Sequence, residues 1–272
     1  MKVGCCVAVI WVVAGLAGVF PAEARSHFAG KKGEPGEQQE PGKSDAGSEP
    51  RMKIRPSGLV AVFPSDAACP EIASPFGSRE RYDGSRRPLD RWGGLHGGID
   101  ISLEEGTPLR AIAAGKVITA GTGGLALGIY LWLQHSPQDT GLPFWVYSKY
   151  QHLRDLPGLN VGDTVSAGQI VGLSGSTGTV GRHYGATGYP HLHLTTFAGP
   201  SDQYEVRGTR VAASMSRIFD PVTTYVKGLR DVDEIEGFSR DQKNVSIPYV
   251  TEDGSVHPAG TRLVWPVACR RR

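Results

Sequence analysis

The sequence predicts an all-β domain, mainly antiparallel sheet, with a small mixed extension at its C-terminal side. Three observations carry that expectation. Glycine (37) and proline (19) are abundant among the 272 residues, which favours turns over long helices. From Leu59 onward the apolar runs are short and are cut by glycine or proline at strand-like intervals. No convincing amphipathic helix occurs until after residue 210, so nothing suggests the strand–helix alternation of a parallel sheet.

Taken in order, the domain opens with Val60-Ala61-Val62-Phe63 as a strand. Ser74-Pro75-Phe76-Gly77-Ser78-Arg79 is turn-rich and leads into a basic loop with Arg81, Arg86, Arg87 and Arg91. Strands are expected at Ile99-Asp100-Ile101 and around Lys116-Val117-Ile118-Thr119. Ile129–Gln134 and Phe144–Tyr147 bracket a hairpin connection over 137–143. Val161–Val165 and Gln169–Gly172 form a further turn-and-strand unit. After Asp220-Pro221 the charged stretch Val222–Asp241 has room for a helix, and Val245–Val250 and Arg262–Trp265 read as two last strands.

The N-terminal segment is not part of that fold. Met1-Lys2, the apolar run Val3–Phe20 and the small residues Ala22 and Ala24 read as a secretory signal peptide over 1–24, cut after Ala24. The competing reading is an uncleaved anchor, since an apolar run of about 18 residues can just span a bilayer. Cys5 and Cys6 precede the end of the apolar run, which argues against a lipoprotein signal. Cleavage implies a secreted or periplasmic protein. Residues 25–58, rich in Lys, Glu, Gly, Pro, Gln and Ser, have almost nothing to bury and are expected to be a disordered linker. The domain proper is then 59–226, with an extension over 227–272 packing on it.

With Cys5 and Cys6 removed, Cys69 and Cys269 remain as an even pair in an oxidising compartment, and a disulfide is expected between them. Two separate buried thiols are the alternative. The net charge of +2 gives no support for a nucleic-acid partner.

The chemistry converges on Tyr189-Pro190-His191-Leu192-His193-Leu194. Two histidines two apart on a strand share a face, so one ring can hold a metal while the other handles a proton beside it. A hydrogen-bonded structural pair has the same spacing. His96-Gly97-Gly98-Ile99-Asp100 sets a histidine and a carboxylate four apart, but the two glycines disfavour a helix and suggest a loop entering a strand. His96, Asp100 and His193, with water in the fourth position, make a catalytic rather than a structural zinc composition.

These pieces resemble the lysostaphin-type, LytM-like zinc metalloendopeptidases, which are peptidoglycan hydrolases. The resemblance rests on Ser74-Pro75-Phe76-Gly77-x-Arg79, His96-x-Gly98-x-Asp100, Gly106-Thr107-Pro108 and Tyr150-x-His152-Leu153. It continues through Val161-Gly162-Asp163-x-Val165-x-Ala167-Gly168-Gln169, Gly175-Ser176-Thr177-Gly178 and His191-Leu192-His193, and covers about residues 70–226. It implies an open β-sandwich or barrel-like groove, one Zn2+ held by His96, Asp100 and His193, and His152 and His191 as the catalytic pair beside a metal-bound water. It also implies peptidoglycan as the partner, cut at its peptide cross-links; whether an activator or regulator protein takes part is unknown.

The chain departs from the family in places. The loop 177–188 is long, the connection 134–144 is extended, and Leu194-Thr195 replaces the usual aromatic and Glu. Residues 227–272 have no counterpart. His27, His135 and His257 read as solvated or structural, and His183 as a candidate substrate contact. The arginines from Arg79 to Arg91 read as a solvated face, or as an attractor for peptidoglycan carboxylates. Several rival readings share parts of this pattern. A non-haem iron facial triad shares the ligands but has no use for two further histidines. A lipoyl-type carrier would need a lysine in its modification turn. A zinc-free binding or hydrolase-activating module would be expected to lack a ligand, and a zinc endopeptidase acting on protein substrates would have the same site.

Overall fold

The structure, a computed structural model, describes residues 54–90, 92–179 and 188–272. The expected signal peptide, Cys5, Cys6, His27, nearly all of the expected linker, Arg91, and the part of the long loop holding His183 lie outside the described residues. Within the stretch read as linker, Ile54 and Ser57 are buried against the domain.

As the sequence predicts, the described residues are mostly antiparallel β-strand with few helices. The main sheet has eight strands: β1 (Ile72–Ser74), β2 (Ile99–Ser102), β3 (Gly115–Thr122), β4 (Ile129–His135), β5 (Trp145–Leu153), β6 (Thr164–Val165), β7 (His191–Gly199) and β8 (Arg217–Phe219). Their order is β1-β2-β7-β5-β4-β3-β6, and β8 continues the β2 edge of β7. All these pairings are antiparallel.

Alternation sorts the side chains of this sheet onto two faces. Ile99 and Ile101 of β2, Leu131 and Leu133 of β4, and Leu192 and Leu194 of β7 enter one large core, each 0–1% exposed. On the opposite face β4 and β5 carry Tyr130, Trp132 and Tyr147, which with Ile118 form a second cluster. A hairpin of Tyr204–Arg207 and Arg210–Ala213 covers part of that cluster, and Trp132 Nε1 donates to the Thr209 carbonyl. Coverage on both faces explains why Ile129–Leu133 of β4 and the start of β5, Trp145–Tyr147, read as unbroken apolar runs.

Two local expectations are refined and one is corrected. The connection after β4 contains one α-helical turn, Pro137–Thr140: Ser136 and Asp139 cap it reciprocally, Pro137 starts it, and Gly141 ends it in the left-handed region. The charged stretch after Asp220 forms 3-10 turns, Pro221–Tyr225, Val232–Gly237 and Asp241–Lys243, rather than an α-helix. Arg262–Trp265 is not a strand, because its amides bond to different elements: Val264 N–H to the Ile112 carbonyl and Trp265 N–H to the Pro248 carbonyl.

The expected opening strand is present at Val60–Val62, but it pairs in parallel with Asn244–Ser246, outside the main sheet. Val245, Ile247, Leu263, Trp265 and Val267 lie in the main core, so residues beyond 227 complete it rather than decorate it. Cys69 and Cys269 are joined in a disulfide across a sequence separation of 200.

Candidate metal centre

The site lies where β2, β5 and β7 meet. Their register pairs His191 with Ser102, and His193 with both Asp100 and Gln151. Because Leu192 and Leu194 take the core face, His191 and His193 share the opposite face with Asp100. The strand reading of the His-x-His pair therefore describes what the fold does.

His96 arrives from the loop before β2. Gly98 permits that approach: a Cβ there would lie 2.3 Å from the Leu194 carbonyl oxygen and 3.0 Å from His193 Nε2. The glycine is needed for space, not for an unusual dihedral angle.

His152 reaches the site by another route. Gln151 pairs with His193 on the open face, so simple alternation would turn His152 into the core. Instead the β4–β5 register shifts at this point, with Leu153 opposite Ile129 and Gln151 opposite Tyr130. His152 is the extra residue of a bulge and adopts φ 65, in the left-handed region unusual for a non-glycine. Its ring centroid lies 4.6 Å from that of His191 and 6.0 Å from that of His193.

Three donor atoms converge. His96 Nε2 is 3.1 Å from His193 Nδ1 and 3.1 Å from Asp100 Oδ1, and His193 Nδ1 is 2.7 Å from Asp100 Oδ1. Donors at 2.0–2.1 Å from one tetrahedral ion lie about 3.3 Å apart, so the triangle is close to the size a zinc ion requires. The set of two imidazoles and one carboxylate suits zinc as well. His191 Nε2 is 3.7 Å from Asp100 Oδ1, at the margin of this triangle.

The remaining ring nitrogens set the tautomers. A carbonyl oxygen only accepts, so His96 Nδ1–H donates to Pro75, His152 Nδ1–H to Thr177 and His191 Nδ1–H to Tyr189. Each of these rings is left with an Nε2 lone pair. His193 is oriented the other way: Nε2 lies 3.0 Å from Thr195 Oγ1, and Nδ1 faces Asp100. Such outer partners fix the orientation of metal-binding rings.

Burial governs the charges. It pushes His193 down to about 4 against the pull of Asp100, and it also lowers His191 and, more strongly, His152. Burial alone would raise Asp100, but His96 and His193 hold its carboxyl well below the usual range. At neutral pH the site therefore offers one carboxylate, with His152, His191 and His193 neutral.

All five predicted site residues are thus brought together. Of the other histidines, His135 is buried, donating Nδ1–H to Ala114 and accepting from Ser148 Oγ at Nε2; it is structural. His257 stacks on Tyr249 in the C-terminal region. Sequence reading missed the roles of four residues. Thr195 contacts His193 in the position where the family usually has Glu. Tyr189 stacks on His191, with centroids 4.1 Å apart, and Tyr82 packs on Tyr189 at 3.8 Å. Arg87, read as part of a solvated basic face, instead forms an ion pair with Asp100 at 3.1 Å. A partly polar pocket of about 520 Å³ lined by Arg55, Phe76, Arg217 and Asp220 is separate from these ligands.

Comparison with known proteins finds similar sequences and structures. Residues 94–203 match the family model described as Peptidase family M23. Lysostaphin of Staphylococcus simulans is 38% identical over 107 residues, which cover 39% of this chain and 19% of that protein. Glycyl-glycine endopeptidase ALE-1 of Staphylococcus capitis is 40% identical over 107 residues, 39% of this chain and 26% of that protein. The chain therefore spans about a quarter or less of the length of these relatives. Among solved structures, the catalytic domain of lysostaphin from Staphylococcus simulans superposes with a TM-score of 0.37 at 29% identity, covering 54% of this chain and 90% of that one.

Proposed function

Residues 94–203 are a peptidase family M23 domain, and on that premise we propose that this chain is a secreted zinc-dependent endopeptidase that hydrolyses peptide cross-links of bacterial peptidoglycan. The observation that carries the proposal is the triangle of His96 Nε2, Asp100 Oδ1 and His193 Nδ1, with sides of 2.7–3.1 Å. In this reading these three residues hold zinc. Bound there, zinc supplies a Lewis acid and lowers the pKa of a coordinated water to about 7.

His152 and His191 then do the proton work. Each has Nδ1–H committed to a backbone carbonyl, so Nε2 takes a proton from the attacking water and later returns it to the departing amine. Burial keeps both rings neutral at pH 7, which is the form a base requires. Cleavage of a peptide cross-link is the reading supported by a relative named a glycyl-glycine endopeptidase. The signal-like N-terminal sequence and the Cys69–Cys269 disulfide support an extracytoplasmic location.

The test separates metal holding from proton transfer. His96→Ala and Asp100→Ala should lose stoichiometric zinc. His152→Ala and His191→Ala should keep it and lose about 10²–10⁴ in turnover, the usual range for a general acid–base group. Equal zinc loss in all four variants would refute that division of roles.

A further inference from the structure

We infer that Arg87 is a positioning residue for the metal centre: it holds Asp100 as a one-oxygen ligand, aimed at His96 and His193. The inference rests on the zinc reading above and adds a residue to it.

Arg87 ends a small hairpin. Arg81 N–H donates to the Ser85 carbonyl, Arg87 N–H to the Arg79 carbonyl, and Glu80 and Arg86 form a bridge. Arg81 spends its guanidinium inside the hairpin, on Ser85 Oγ and the Arg86 carbonyl. Arg87 instead turns toward β2. Its Nη2 donates to Ser74 Oγ at 2.8 Å and to Asp100 Oδ2 at 3.1 Å. Its side chain is 12% exposed and that of Asp100 is 2% exposed, so this pair is screened far less than a surface ion pair.

The two oxygens of Asp100 are thereby divided. Oδ1 faces His96 Nε2 and His193 Nδ1, while Oδ2 faces the guanidinium. A carboxylate with both oxygens available can rotate or bind a cation through both; with Oδ2 held, only Oδ1 is presented. Ser74 extends the tie. Its Oγ accepts from Arg87, donates to the Glu80 carbonyl, and lies 3.5 Å from the His96 Nδ1 that Pro75 also holds. One side chain therefore braces two of the three ligands. Arg87 is a permanent cation that the described residues place on a buried carboxylate.

Arg87 also brings a positive charge close to where a cation would sit, and that opposes binding. Orientation and repulsion predict opposite signs, so experiment can decide between them. The measurement is a zinc competition titration of the full chain against a chromophoric chelator, for wild type, Arg87→Met, Arg87→Gln and Arg87→Lys, with Arg86→Ala as a control on the exposed side of the same hairpin. Loss of an outer partner commonly costs 10–100-fold in metal affinity, and Arg87→Met should fall in that range. Arg87→Gln and Arg87→Lys, which keep a donor, should recover part of the loss, and Arg86→Ala should match wild type. With Co2+ as the probe, Arg87→Met should show weaker visible absorption, as a four-coordinate site gains a second Asp100 oxygen. Thermal melts of the metal-free proteins identify any variant that fails to fold; the Gln and Lys forms then carry the test. Unchanged or tighter zinc binding by folded variants would overturn the role of Arg87 and leave the zinc reading intact. A wild-type chain that takes up no zinc would overturn both.

Discussion

At the scale of single residues, the histidines fall into two classes by what their nitrogens meet. His135 is fully buried between Ala114 and Ser148, and burial pushes it down to about 4. Its ordinary value in an unfolded chain is about 6.5. Between those two values the unfolded state binds a proton that the folded state refuses. The stability His135 contributes is therefore full above about pH 6.5 and is lost as pH falls toward 4, by up to about 3 kcal/mol. Asp220 acts in the opposite sense: burial raises it to about 6, so its contribution is lost as pH rises from about 4 to 6. The two overlap, so a comparison of variants reads His135 alone. In urea unfolding at pH 7 and pH 4.5, His135→Gln should lose less stability on acidification than wild type; an identical loss would contradict the assignment. Residue types and spacing pointed to His96, Asp100 and His193, and the family resemblance added the roles of His152 and His191. The sequence could not show the bulge that turns His152 onto the open face, since that depends on register against β4. Nor could it single out Arg87 from its neighbours, because only the folded hairpin aims one arginine inward.

At the scale of elements, the strands were readable wherever apolar runs end in glycine or proline, as in β3, β4 and β5. The boundaries failed where backbone hydrogen bonds go to several partners, as at Arg262–Trp265, or where a cap makes a single helical turn, as at Ser136. The β2–β7 pairing carries the site, and Gly98 at its entry leaves no room for a side chain. Adding a methyl group 2.3 Å from the Leu194 carbonyl oxygen must separate the two strands. Gly98→Ala is expected to cost about 3 kcal/mol, the upper end for overpacking, and to weaken zinc uptake because Asp100 and His193 sit across this pairing. Chemical unfolding and metal analysis of that variant test the point; wild-type values for both would mean the strands can shift without cost. The hairpin over Trp132 and Tyr147 was not legible as a cover, since its own residues, Tyr204–Arg207 and Arg210–Ala213, are mostly exposed.

At the scale of the whole molecule, the C-terminal segment returns to the start of the domain. The Cys69–Cys269 bond closes a 200-residue span, and Cys269 itself is fully buried in the core. Cysteine arithmetic anticipated this pairing, and the extension was expected to pack on the domain; that Val245, Trp265 and Val267 enter the main core itself depends on contacts that only the fold shows. Cys269→Ser is expected to cost about 2–5 kcal/mol of stability with little change in zinc stoichiometry, since the bond is remote in sequence from every ligand. Coupled loss of zinc and fold at equal denaturant would show that the segment supports the site directly. The central claim, that this fold hydrolyses cell-wall peptide bonds through a zinc centre, is tested most directly by incubating the purified protein with purified peptidoglycan and reading products by mass. Release of cleaved cross-links that stops with chelator and returns with added zinc is the predicted result. Intact cross-links in the presence of a zinc-loaded, folded protein would contradict the claim.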